Sequence, residues 1–208
     1  MIHNPWEEID LITYESHMSL KSVAQLQLLN QMMKEQFESY GVSTIMVLGI
    51  AGGNGLEHIN VDCVKKVYGV DVNPDYLLEC GKRYKSLGDT LETICTDLLQ
   101  EALQLPHADL LVADLLVEYI GYACFQKVVN LVGPQYVSCI IQVNTDESFV
   151  SDSPYLHSFD CLEKVHCQME EAPLTNAMQK IGYKSLQRQE RALPNGKRLV
   201  RMDFCCKD

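Results

Sequence analysis

"VLGIAGGNGLEHI", Val47 to Ile59, followed by "YGVDVNPDYL", Tyr68 to Leu77, is the stretch on which the reading of this chain turns. An apolar run breaks into glycines, and an aspartate closes the next apolar run. Small residues from Gly49 through Ala51, Gly52 and Gly53 to Gly55 let a backbone bend tightly and approach a ligand that a Cβ would hold away. Asp71 stands at the end of the second run, where a carboxylate accepts the hydroxyls of a ribose. In an open α/β sheet ligands settle at the carboxyl ends of the strands, where the strand order reverses. A loop that merely needs small residues would look similar taken alone. With strand, loop, helix, strand and Asp71 in register, a nucleoside-containing ligand is the expectation.

The surroundings supply the rest of a sheet. "STIMVLGI", "VKKVYGVD", "LETICTD", "ADLLVAD" and "YVSCIIQV" are short and almost wholly apolar. Apolar residues without alternation mark strands buried on both faces, as in a parallel sheet covered by helices. Between them, "NPDYLLECGKRYKSLG" opens with an Asn cap and a Pro at the first helical position and stops at Gly88. "GYACFQKVVNLVG" carries Phe125, Val128, Val129 and Val132 on one face. Near the end, "YKSLQRQERAL" and "KRLVRMDFCC" flank "PNG", and Val200, Met202 and Phe204 alternate with their neighbours. That is an antiparallel hairpin. At the other end, Val23, Leu26, Leu29, Met33, Phe37 and Tyr40 recur at helical spacing and predict one helix from Leu20 to Tyr40, stopped by Gly41. The expected fold is α/β: a doubly wound, mostly parallel seven-stranded sheet with an antiparallel C-terminal hairpin and an N-terminal helical extension. No linker or repeat interrupts the 208 residues, so one domain is expected, residues 1–41 forming a helical lid and 42–208 the core.

Composition narrows the partners. Lys and Arg number 17 against 28 Asp and Glu, a net charge of −11 with no dense basic cluster. A nucleic-acid backbone needs neutralising cations, so DNA and RNA are not expected partners, and an anionic membrane surface is disfavoured for the same reason. The acidic start lacks the apolar core of a signal peptide, and no run reaches the length of a membrane span. The nine cysteines form no C-x-x-C pair. In "HSFDCLEKVHC", His157, Cys161, His166 and Cys167 do not share a face, so no metal is expected. A reduced, cytoplasmic protein follows as the expectation. The oligomeric state stays open.

Two ligand classes share a glycine-rich start. The dinucleotide fingerprint G-x-G-x-x-G would need glycine where His58 stands, counting from Gly53 and Gly55, and starts at Gly49 or Gly52 also miss the spacing. The chain instead resembles the class I S-adenosylmethionine-dependent methyltransferases over roughly residues 42–208. The marks are "VLGIAGGNG", "VYGVDVNPDYL", "CTDLL", "ADLLVADLLVEYIG" and the closing hairpin. The resemblance implies a Rossmann-like methyltransferase fold with S-adenosylmethionine as cofactor. Gly49, Ala51, Gly52, Gly53 and Gly55 would line its methionine part, and Asp71 with Val72 its ribose. Asp97 and Leu98 would meet the adenine, while Asp114 and Leu115 would sit beside the sulfonium. The sequence departs from the family where Gly49 replaces an acidic residue and Ala51 a glycine; Asp114 is positioned to compensate.

Methyl transfer asks the protein to align a nucleophile and shield the site, and a base is optional. Catalytic candidates are Glu118 and Tyr119, just past the fourth strand, and Tyr14 and His17 on the extension, where Trp6, Glu15 and Met18 would complete a lid. Each has a bland alternative: Tyr119 as core, Trp6 as an anchor, His17 as a surface residue. The family's N-P-P-Y, D-P-P-Y and Pro-Cys motifs are missing after the fourth strand, where "DLLVE" stands. A small-molecule acceptor is expected. The competing readings are a non-catalytic binder of S-adenosylmethionine or its demethylated product and, more remotely, an NAD-dependent oxidoreductase. A free pocket beneath the extension would favour the enzyme; one filled by Tyr14 or Tyr119 would favour the binder.

Overall fold

The computed structural model describes residues 3–144 and 148–206. The apolar runs form β1 (Thr44–Leu48), β2 (Lys66–Asp71), β3 (Leu91–Cys95), β4 (Leu110–Asp114) and β5 (Tyr136–Val143). β6 (Tyr183–Ala192) and β7 (Arg198–Cys206) form the predicted hairpin. One seven-stranded sheet results, in the order β3-β2-β1-β4-β5-β7-β6, parallel except where β7 pairs antiparallel with β5 and β6. The order reverses between β1 and β4, and that is where a crevice must open above the strand ends.

Alternate residues of the central strands feed two cores, as the two-residue period of a strand requires. Met46 and Leu48 face Phe125, Val128 and Val129 of α4 (Val117–Val132) and Leu174 and Met178 of α5 (Glu171–Lys180). Ile45 and Val47 face the other way, toward Leu77 and Cys80 of α3 (Pro74–Arg83). α3 begins as its sequence predicts: the Asn73 side chain accepts from the Asp75 and Tyr76 amides, with Pro74 in the first turn.

Three expectations need correction. The stripe from Leu20 to Tyr40 is not one helix. α1 spans Leu11–Ser19 and α2 Gln25–Ser39, parted by Ala24 at φ 53°. Val23 is wholly buried in that turn, so packing outweighs the local preference for an unbroken helix. The segment after the glycine loop is not a full helix but a single 3₁₀ turn, Leu56–His58. Its place on the sheet is taken by α2, whose Met33 and Phe37 pack with Val47, Ile50 and Leu56. Finally, α3 ends at Arg83 rather than Gly88, and a 3₁₀ segment, Lys85–Thr90, carries the chain on with Gly88 at φ 51°.

Candidate functional site

A cleft with an empty volume of about 810 Å³ lies over the carboxyl ends of β1, β2 and β4. Gly49, Ala51, Asp71, Val72, Asp97, Leu98, Asp114 and Leu115 all line it. Gly52, Gly53 and Gly55 do not. A Cβ on Gly52 would lie 2.6 Å from Oε1 of Glu15, one on Gly53 2.6 Å from the Tyr84 ring, and one on Gly55 2.9 Å from Met33. These glycines admit neighbouring helices beneath the loop rather than a ligand above it. Both uses need a small residue, so the sequence signal is the same.

Asp71 organises the floor. Its Oδ2 accepts the Ala51 amide at 2.8 Å and its Oδ1 the Asn73 amide at 2.9 Å, which ties the glycine loop to the start of α3. Burial pushes the carboxyl up, and these backbone donors pull it back. The pinned loop is strained: Ala51 has φ 47°, and Leu115, across the cleft, φ 52°. Non-glycine residues rarely adopt such angles, and where they persist they cluster at functional sites. A side chain at Gly49 would be strained by its φ of 67°, and its Cβ would crowd the Leu116 side chain at 3.2 Å.

Asp114 supplies the carboxyl of the far wall. Its Oδ1 accepts from the Gln36 amide at 2.8 Å, whereas Oδ2 is buried without a partner. Burial pushes this carboxyl to about 7, against the pull of the Gln36 bond and the Arg201 charge.

The extension closes over the cleft. Asn4 donates to Asp97 at 3.3 Å, Asn73 donates to the Trp6 carbonyl at 3.1 Å, and the Tyr76 hydroxyl donates to the Ile9 carbonyl at 2.8 Å. Arg83 grips Glu15 with two nitrogens, the longer contact 3.0 Å. Trp6 stands edge-on to Tyr14 and to Tyr119, with ring centroids 5.8 and 4.9 Å away. Trp6, Tyr14 and Tyr119 thus wall the cleft.

Behind that wall is a second, smaller chamber. Trp6, Tyr14, Leu115 and Tyr119 belong to both spaces. The other predicted catalytic candidates, Glu118 and His17, line only the chamber. Glu118 is 3% exposed; its Oε1 accepts the Gln142 amide at 2.8 Å and its Oε2 has no partner. Burial pushes it to about 7. His17 is buried, not a surface residue, with Nδ1 2.8 Å from the Ser153 hydroxyl.

The sequence reading did not assign Asn4, Tyr76 and Thr96 to the cleft, nor Gln25, Gln142, Phe149, Phe159 and His166 to the chamber. His166, considered only as a metal ligand, stacks on Phe149 at 3.9 Å instead. A polar residue in the first turn of α4, just past the end of β4, is the signal that found Glu118. Among the described residues no group of three or more His, Cys, Asp or Glu is gathered for a metal, and no helix is long and apolar enough to cross a membrane.

No protein-family model matches the sequence, and a search of curated proteins finds no match. Solved structures do match the fold. The methyltransferase domain of bacterial CtHen1-C is 16% identical, with a TM-score of 0.66 over 88% of this chain and 97% of that one. The N-methyltransferase NodS from Bradyrhizobium japonicum, in complex with S-adenosyl-L-homocysteine, is 14% identical, with a TM-score of 0.66 over 94% of this chain and 99% of that one. The cyclase SpnF is 10% identical, with a TM-score of 0.64 over 86% and 80%. One architecture thus serves more than one reaction. By strand order, closing hairpin and these likenesses, the chain has the fold of the class I S-adenosylmethionine-dependent methyltransferases.

Proposed function

We propose that the chain is an S-adenosylmethionine-dependent methyltransferase acting on a small-molecule acceptor. The observation that carries the reading is the pair of carboxylates across one cleft. Asp71 is held by backbone amides at the end of β2, and Asp114 presents an unpartnered buried oxygen at the end of β4. The first suits a ribose diol. The second suits a cationic ligand, because an unpaired buried carboxylate is costly and a cation relieves it. In this reading Asp97 and Leu98 hold the adenine, Ala51, Val72 and Gly49 the ribose and methionine backbone, and Asp114 with Leu115 the sulfonium side. S-adenosylmethionine would supply an activated methyl group on sulfur. The protein's part is to orient the acceptor and exclude water.

Other ligands fit less well. A pyrophosphate needs the N-terminus of a helix behind the glycine loop, and here that segment is one 3₁₀ turn. The second chamber supports transfer over mere binding, because Tyr14 and Tyr119 wall it rather than fill it. NodS, in complex with S-adenosyl-L-homocysteine, supports the choice of ligand.

Calorimetric titration with S-adenosylmethionine, S-adenosylhomocysteine and NAD tests the reading. Binding of both sulfur compounds, absence of NAD binding, and a loss of roughly 10- to 100-fold in Asp71→Asn are expected, the range of a charge-assisted hydrogen bond. Failure of both sulfur compounds to bind would reduce the likeness to a shared fold.

A further inference from the structure

We propose that the second chamber is the acceptor site and that it takes a small arylalkyl amine in its ammonium form, with Glu118 as its counter-ion and proton acceptor. This deepens the methyltransferase reading and rests on it for the fate of the bound amine, though not for the binding itself.

The argument starts from an oxygen without work. Glu118 is almost fully buried, and only Oε1 has a structural task, accepting the Gln142 amide that joins α4 to β5. Glu118 lines the chamber, and its Oε2 is buried with no partner. A buried polar atom left unpaired costs free energy, so a native fold retains one where something else satisfies it. The nearby amide side chains are already engaged. Gln25 donates to Gln142, and Gln142 donates to Asn144 and to the Phe149 carbonyl at 2.6 and 2.8 Å. An ammonium group supplies the missing donor and the compensating charge together.

The walls select the rest of the ligand. Trp6, Tyr14, Tyr119, Phe149 and Phe159 present aromatic surface to the chamber that Glu118 also lines. Aromatic faces attract a desolvated cation and stack on an aryl group. The other titratable groups near Glu118 leave that role open. His17 and His166 are held toward their neutral forms by burial and by the Lys197 charge, and Lys197 itself donates to the Ser148 carbonyl. The Tyr14 and Tyr119 phenols are pushed up by burial and stay protonated, while Asp114 faces the neighbouring cleft.

The chemistry balances. The ammonium passes one proton to the Glu118 carboxylate. The freed nitrogen lone pair forms the N–C bond as the S–C bond breaks, leaving an N-methylammonium and the neutral thioether. Glu118 then returns its proton to water. The nitrogen would reach the cleft past Trp6, Tyr14 and Tyr119, the rings that both spaces share.

The test uses the full chain without cofactor, benzylamine as the probe and benzyl alcohol as its neutral counterpart, by calorimetry at pH 8. Wild type should bind benzylamine roughly 10- to 100-fold more tightly than the alcohol. Glu118→Gln should abolish that preference. Between pH 6 and 8 the wild-type affinity for the amine should rise as Glu118 ionises, and the variant should show no such rise. Equal binding of the two probes by wild type, binding of neither, or an undiminished preference in the variant would overturn the proposal. Should the variant not fold, the wild-type preference and its pH profile still decide. Adding S-adenosylmethionine and weighing the amine by mass spectrometry separates the two readings. Amine binding without methylation sinks the methyltransferase reading and leaves the chamber. Cofactor binding without amine binding sinks the chamber alone.

Discussion

Replacing Glu118 with glutamine removes one buried carboxyl and keeps an oxygen for the Gln142 amide. Burial raises this carboxyl from 4.5 to about 7. Between those values the folded protein binds the proton more tightly than the unfolded chain. Its stability is therefore highest below pH 4.5, falls as pH rises through the window, and levels off above 7. At about 1.4 kcal/mol per unit, the charge withdraws about 3 kcal/mol in full, most of it between pH 5 and 8. Wild type alone would hide this. His166, held down to about 4, runs the opposite way, and Asp114 runs with Glu118. The difference between variant and wild type cancels both. Urea unfolding at pH 5, 6, 7 and 8 should show Glu118→Gln gaining on wild type by about 2 to 3 kcal/mol across the series. Any fixed offset from the new amide group drops out of that slope. A difference that stays flat to within about 0.5 kcal/mol would mean that the carboxyl is not desolvated as the structure has it.

Other outcomes follow from packing and from the buried ion pair. Arg201 and Asp203 are almost fully buried, with Nε donating at 2.9 Å and Tyr40 and Ser138 donating to the same carboxylate. Asp203→Ala, leaving the guanidinium uncompensated, should cost about 3 to 5 kcal/mol in urea unfolding, and the double replacement Arg201→Met with Asp203→Leu much less. Gly53→Ala places a methyl 2.6 Å from the Tyr84 ring at φ 87°, and thermal melting should register a loss of about 1 to 3 kcal/mol. A chain beginning at Lys21 should lose ligand binding and melt at lower temperature by circular dichroism, because the buried Ile9, Leu11 and Met18 leave with it. One beginning at Val42 should not fold, because Leu29, Met32, Met33 and Phe37 leave with it, each contributing about 2 kcal/mol of burial.

The strands were the most legible part of the fold. Val47, Leu111 and Ile140 lie in apolar runs that alternate with helical patterns, and only a parallel sheet buries such runs on both faces. Asp71 and Asp114 were legible because each ends such a run, and sheet topology fixes what happens there. The break at Ala24 was not legible. The apolar stripe runs on across it, and a left-handed alanine has no sequence signature comparable to glycine's. Gly52, Gly53 and Gly55 announced a need for space without saying which neighbour would fill it. Phe149 and His166 reach the chamber from segments distant from the glycine loop in sequence. Only the placement of β5 beside β4 brings their loop above the site.

α2 makes the amino-terminal extension two things at once. Before Ala24 it is a cover held over the cleft by polar contacts, aromatic edges and the buried side chains of Ile9, Leu11 and Met18; after Ala24 it is the missing wall of the sheet. The first part shapes the cleft while adding burial of its own, whereas the second packs directly on β1 through Met33 and Phe37. Changes within residues 3–20 reach the cover of the cleft and the side chains that anchor it, while changes within 25–39 strike the packing of the sheet itself. The division between the two runs through one alanine.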